Sequence, residues 1–124
     1  FAAPGVALIE SEDDPDHPWR DIFRENIAGM DGQTDAADRP IDLIRLPEAS
    51  GEFGNDEMFC RSYVNLYLCN GGVIMPKYGV REDGYVREVL EDVLPGRRIF
   101  EVEIFDIALG GGGIHCITQQ EPLV

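Results

Sequence analysis

Residues 109–122, Leu-Gly-Gly-Gly-Gly-Ile-His-Cys-Ile-Thr-Gln-Gln-Glu-Pro, place a thiol three residues after a run of four glycines. In regular structure a glycine costs up to about 1 kcal/mol relative to alanine, so a bare backbone here needs a reason, and close approach of a ligand is one. A phosphate cradle is not the reason: no Gly-Lys-Ser/Thr follows Gly113 and no helical periodicity starts there. Most lone cysteines are small buried hydrophobes, whereas a nucleophilic one needs a nearby base or positive charge to make the thiolate. His115 precedes Cys116, but Ile114 to Thr118 reads as a strand, on which consecutive side chains leave opposite faces. A general base for Cys116 is therefore expected from elsewhere. The other histidine, His17, lies between Asp16 and Pro18 at an expected helix start and reads as a solvated neighbour of the cap. The acidic stretch Glu10 to Asp16 lacks the spacing and the central glycine of a calcium loop, so it reads as a solvated turn. No metal and no cofactor are expected.

The charge balance narrows the ligand class. The 124 residues carry 10 Lys plus Arg against 24 Asp plus Glu, a formal charge of -14. Phosphate backbones and anionic membranes are repelled, and cationic small molecules are favoured, although such a surplus equally serves solubility. Cys60, Cys69 and Cys116 are odd in number and have no CxxC spacing, so neither a disulfide framework nor a zinc site is read, and a reducing cytoplasm fits. No apolar run reaches the roughly 18 residues that would span a bilayer. The sequence opens on Phe1-Ala2-Ala3-Pro4 without a methionine, as expected of a processed chain or a portion of a longer one.

The elements that must carry these residues follow from periodicity. Gly5 to Glu10 reads as a buried strand, and Pro18 to Met30 as a helix with Asp16 at its cap and Trp19, Ile22, Phe23, Ile27 and Met30 along one face. Ile41 to Leu46 reads as a second strand, and residues 47–61 as a long loop of the kind that borders sites. Ser62 to Cys69 and Gly72 to Pro76 flank Asn70-Gly71, which suits a type I′ hairpin turn. A helix capped by Asp83 and running to Val93, then a strand from Arg98 to Ile104, follow. The order strand, helix, strand thus occurs twice. The pattern fits either two ββαβ modules, the first without its opening strand, or an ordinary two-layer α/β sandwich.

The stretch Gly110 to Pro122 (GGGGIHCITQQEP) resembles the C-terminal motif of the agmatine deiminase and bacterial peptidylarginine deiminase family. Ser62 to Pro76 (SYVNLYLCNGGVIMP), the helix stop Pro95-Gly96-Arg97 and the strand IDLIRLPE resemble the same family, so the likeness covers nearly the whole chain. It implies an α/β fold, the pentein α/β propeller of ββαβ modules. This chain would supply about two of five modules, with 1–61 a partial module and 62–124 the last.

The resemblance also implies a chemistry. Cys116 would attack a guanidinium carbon, expel ammonia and form a covalent amidino-thioether that water hydrolyses. Asn65, Gly110, Gly111 and Gly112 would border the substrate. The most direct reaction is agmatine to N-carbamoylputrescine, a step toward putrescine, with peptidylarginine to citrulline as the alternative substrate and a non-catalytic α/β module as the alternative class. Gly113 departs from the motif, which more often has Asn there. The family's His-x-Asp pair, its base and guanidinium partner, cannot be placed in this sequence; the chain is expected to begin just after it and to be inactive alone, with an ordinary, weakly reactive Cys116. Expected partners are a cationic guanidinium compound and either further copies of the chain or the remaining modules, with no nucleic acid and no membrane.

Overall fold

The structure is a computed structural model that describes residues 1–53 and 58–122. It divides into two compact units, Phe1–Glu48 and Ala49–Val124, so 49–61 group with the residues that follow them.

In the first unit, β1 (Val6–Glu10) and β2 (Asp42–Leu46) pair in parallel, from Val6 opposite Asp42 to Glu10 opposite Leu46. Parallel neighbours require a crossover, which here contains α1 (Arg20–Met30). The backbone pairing continues at both ends, through Asp42 N–H to Gly5 O at 2.8 Å and Ser11 N–H to Leu46 O at 2.9 Å. Ala7, Phe23 and Leu46 are buried, whereas Trp19 and Ile22 of the apolar stripe remain 56% and 48% exposed.

The helix starts later than its sequence suggests. Trp19 is the N-cap, with no side-chain cap, and its N–H is directed at His17 Nδ1 at 3.3 Å. Asp16 therefore does not cap α1. Nor is His17 simply solvated: its Nε2 lies 3.2 Å from Glu48 Oε2, and its ring stacks on Phe23 at 5.7 Å.

The second unit contains β3 (Tyr67–Cys69), β4 (Gly72–Lys77), α2 (Arg81–Val93), β5 (Arg98–Glu103) and a single-turn α3 (Phe105–Ala108). The sheet order is β3-β4-β5, antiparallel and then parallel, which is the ββαβ arrangement that the periodicity suggested. Val73, Met75, Val86, Leu90 and Ile104 form its core. Three local features differ from the sequence reading. The first hairpin strand shortens to three residues, leaving Asn65 in the bend before it. The turn is not type I′, because Gly71 has φ +73 and Asn70 is not among the described residues with positive φ. Its carbonyls face the exit of α2 instead: Arg97 Nη1 donates to Cys69 O, and Arg98 N–H donates to Gly71 O at 2.9 Å. Asp83 occupies the third position of α2 rather than its cap, and it reaches back to Val80 N–H at 3.0 Å.

Among the described residues, no helix is long and apolar enough to cross a membrane.

Candidate active site

The glycine run leaves α3 through Gly110 N–H to Ile107 O and Gly111 N–H to Ala108 O, both 3.0 Å. Gly111 has φ +79, and a Cβ there would lie 3.2 Å from the Met58 carbonyl oxygen, so conformation and space both ask for glycine. Gly113 is tighter still. A Cβ at this buried position would come within 2.6 Å of Asn65 Cγ and 2.8 Å of Asn65 Cβ. At Gly112 the nearest atom to such a Cβ is Cys116 Cβ, at 3.3 Å. The bareness that suggested a ligand thus already serves the approach of the protein to itself at 111 and 113. Gly110 and Gly111 are exposed to solvent.

The wall opposite Gly111 comes from the long loop, of which 54–57 lie outside the described residues. Cys60 N–H donates to Ala108 O at 3.0 Å, which ties the loop to α3. Phe59 stacks on Phe53 at 4.5 Å and meets Phe105 at 5.4 Å, and Tyr78 lies within 6.2 Å of both Phe53 and Phe59. This aromatic cluster holds the segment by apolar burial and offset ring contacts.

Cys116 does not lie on a strand. His115–Ile117 form one 3₁₀ turn, closed by Ile117 N–H to Ile114 O at 3.2 Å and Thr118 N–H to His115 O at 3.3 Å. The cause is a latch from a residue distant in sequence. His115 N–H is shared between Asn65 Oδ1 at 2.9 Å and Asn65 O at 3.2 Å, which winds the chain where its β-branched residues favour extension. Successive side chains on a 3₁₀ turn leave it about 120° apart, rather than on the opposite faces expected of a strand.

The Cys116 thiol is exposed. Asn65 Nδ2 lies 3.2 Å from its Sγ, and Asn65 Oδ1 lies 3.6 Å away. A backbone hydrogen bond from Gly113 and then the Asn65 amide hold the thiol below its ordinary range. Donors of this kind stabilise the thiolate over the thiol. Part of the lowering thus comes from these residues themselves.

Of the residues singled out from sequence, Cys116, Asn65, Gly112 and Gly113 converge, with Gly110 and Gly111 at the entry. Cys69 lies on β3 opposite Gly72. Cys60 was not foreseen as a neighbour of the site, yet its Sγ is 4.0 Å from Asn65 Nδ2. The signal for it was the length of the loop that contains it.

The sequence profile of the Porphyromonas-type peptidyl-arginine deiminase family matches residues 1–122. The chain belongs to this family. A relative from Streptomyces avermitilis, named as a candidate agmatine deiminase, is 37% identical over 127 aligned residues, covering 98% of this chain and 35% of that protein. A similarly named protein from Legionella pneumophila is 32% identical over 123 residues, covering 98% of this chain and 36% of that protein. The solved agmatine deiminase of Enterococcus faecalis superimposes with a TM-score of 0.87 at 26% identity, over 98% of this chain and 38% of that one. The chain thus spans just over a third of the length of these relatives. Within the deiminase family its α/β fold is that of the pentein propellers, of which it supplies a part. Its two units have the orders β-α-β and ββαβ.

Proposed function

We propose that the whole protein is a guanidine deiminase for which this chain supplies the nucleophile, Cys116. The supporting observation is an exposed thiol at the end of a glycine run, held toward its thiolate form by Gly113 and Asn65 within a chain of this family. The thiolate adds to the guanidinium carbon, the tetrahedral adduct releases ammonia, and a thiouronium remains on Sγ. Water adds to that carbon, and the thiolate leaves as the ureido product forms. Gly110, Gly111 and Gly112, with Asn65, form the protein wall beside the reacting carbon. The family's His-x-Asp does not occur in these 124 residues, so base and guanidinium grip belong to other parts of the whole protein, and the chain by itself is inactive. A cytoplasmic location agrees with the exposed thiol of Cys116.

Agmatine is the favoured substrate because the relatives matched over nearly the whole chain carry that name. Peptidylarginine is the second reading, favoured by the name of the family profile. Incubating the whole protein with agmatine and with an arginine peptide decides between them. Ammonia and N-carbamoylputrescine are expected from agmatine, and an acid-quenched digest should carry the amidino adduct on the Cys116 peptide. No ammonia from either compound would remove the enzymatic reading in favour of a non-catalytic module.

The same proposal extends to partners. Phe100 and Val102 on the edge strand β5, together with Phe105, Leu109 and Ile117, stay between 39% and 64% exposed. We assign these faces to further modules of the whole protein, or to copies of the chain when it stands alone. Burial contributes about 25 cal/mol per Å² at any salt, whereas charge repulsion is screened beyond about 8 to 10 Å at physiological ionic strength. The isolated chain should therefore sediment as a dimer or larger at micromolar concentration. A monomer throughout that range would contradict this assignment.

A further inference from the structure

We propose that Asn65 is the positioning residue of the Cys116 thiolate. The inference rests on the deiminase reading of Cys116 and names how the attacking atom is aimed.

Four contacts define the arrangement. Asn65 Oδ1 accepts His115 N–H at 2.9 Å, and the Asn65 carbonyl accepts the same N–H at 3.2 Å. Asn65 Nδ2 faces Cys116 Sγ at 3.2 Å and Cys60 Sγ at 4.0 Å. The orientation of the amide follows from chemistry: only its oxygen can accept from His115 N–H, so its nitrogen must face the sulfur. Both ends of the amide are thereby occupied by protein groups, which leaves it suited to holding the sulfur rather than to gripping a substrate directly.

Gly113 completes the arrangement. A Cβ there would overlap Asn65 Cγ, Cβ and Oδ1 at 2.6, 2.8 and 2.9 Å, all below the separations that packed carbons tolerate. The side chain of Asn65 therefore lies against the Gly113 backbone. The bare Gly113 thus makes room for the amide. The pair spans 48 residues of sequence and sets where the thiolate points, on a surface otherwise open to water.

The two functions of the Asn65 amide can be separated by substitution. Asn65→Asp keeps an oxygen for His115 N–H, so the 3₁₀ turn is retained, but it removes the donor to the sulfur and sets a like charge beside the thiolate. Asn65→Ala removes both functions. Gly113→Ala leaves the amide intact and displaces it. The measurement is the rate of iodoacetamide alkylation of the Cys116 peptide across pH, read by mass spectrometry on the folded chain, with circular dichroism to check the fold.

At pH 7, Asn65→Asp should slow alkylation about threefold or more and move its pH profile upward, because the thiolate has lost a hydrogen-bond donor. Gly113→Ala should move the profile in the same direction, at unchanged charge. If Asn65→Asp folds normally and keeps the wild-type profile, Asn65 only latches the turn and the proposal fails. Should Asn65→Asp not fold, Gly113→Ala decides alone, an unmoved profile again defeating the idea. Alkylation needs no turnover, so these outcomes are independent of the deiminase assay. Absence of ammonia release would remove the functional reading, whereas an unmoved alkylation profile would remove this one.

Discussion

Replacing Cys116 by serine is expected to reduce ammonia release from agmatine by the whole protein at least about a thousandfold, to the level of an enzyme that binds without a nucleophile. The size follows from the chemistry of the step. A guanidinium carbon is a poor electrophile, stabilised by resonance over three nitrogens, and it yields only to a soft, ionised nucleophile. A serine hydroxyl in the same place has no thiolate equivalent, and the donors around Cys116 Sγ, the Gly113 backbone and the Asn65 amide, are too weak to ionise an alcohol near neutrality. Cys69→Ser should leave most of the activity, since Cys69 lies on β3 in register with Gly72. Cys60→Ser should also leave most of it, with a modest change in Cys116 alkylation, because its sulfur is 4.0 Å from the Asn65 amide. Steady-state ammonia assays on the three variants check all of this. Appreciable turnover by Cys116→Ser would end the covalent mechanism, whatever the other two variants do.

How much of this site could be read from sequence depends on how locally each feature is specified. The ββαβ order was legible because alternating and helical periodicities are written in contiguous residues, as in Gly72–Lys77 and Arg81–Val93. Cys116 was legible through its glycine run. Its backbone was not, since Ile114 to Thr118 has the composition of a strand and becomes a 3₁₀ turn only because Asn65, 50 residues earlier than His115, captures the His115 N–H. The same distance hid the reason for Gly113: no local rule reveals that a side chain there would meet Asn65. The turn at Asn70-Gly71 was misjudged in a similar way, because Arg97, beyond α2, binds Cys69 O. Asp83 was recognised as a helix-start residue, but the position it takes is set by groups outside the helix.

Those groups make Asp83 the position where substitution should cost most stability. Asp83 is buried, at 6% exposure. Its Oδ1 accepts the Tyr63 hydroxyl at 2.6 Å and Tyr78 N–H at 3.0 Å, and its Oδ2 accepts Gly79 N–H at 2.8 Å and Val80 N–H at 3.0 Å. A carboxylate offers about four acceptor directions, and here four donors take them. Asp83→Ala leaves all four donors without that partner, one of them the hydroxyl of the fully buried Tyr63. A loss of about 3 kcal/mol or more is expected, roughly 10 °C or more in Tm for a unit of this size, by urea or thermal unfolding. Asp83→Asn keeps one oxygen and should cost less. The pH dependence adds a second readout: burial first, and the Asp83 hydrogen bond next, push the Tyr63 phenol above its ordinary range. Above about pH 10 the unfolded chain releases that proton while the folded chain retains it, so wild-type stability should fall as pH rises, and less steeply without Asp83. The effect should also reach the sulfur. Ser62 O accepts both the Tyr78 hydroxyl at 3.2 Å and Asn65 N–H at 3.4 Å, so the bend carrying Asn65 is anchored through the same residues that Asp83 holds. Under conditions where Asp83→Ala is still folded, Cys116 should alkylate more slowly than in the wild type. A variant that lost less than about 1 kcal/mol would mean that water replaces the carboxylate at all four donors, and the bend would then owe its position to Tyr63 and Tyr78 packing alone.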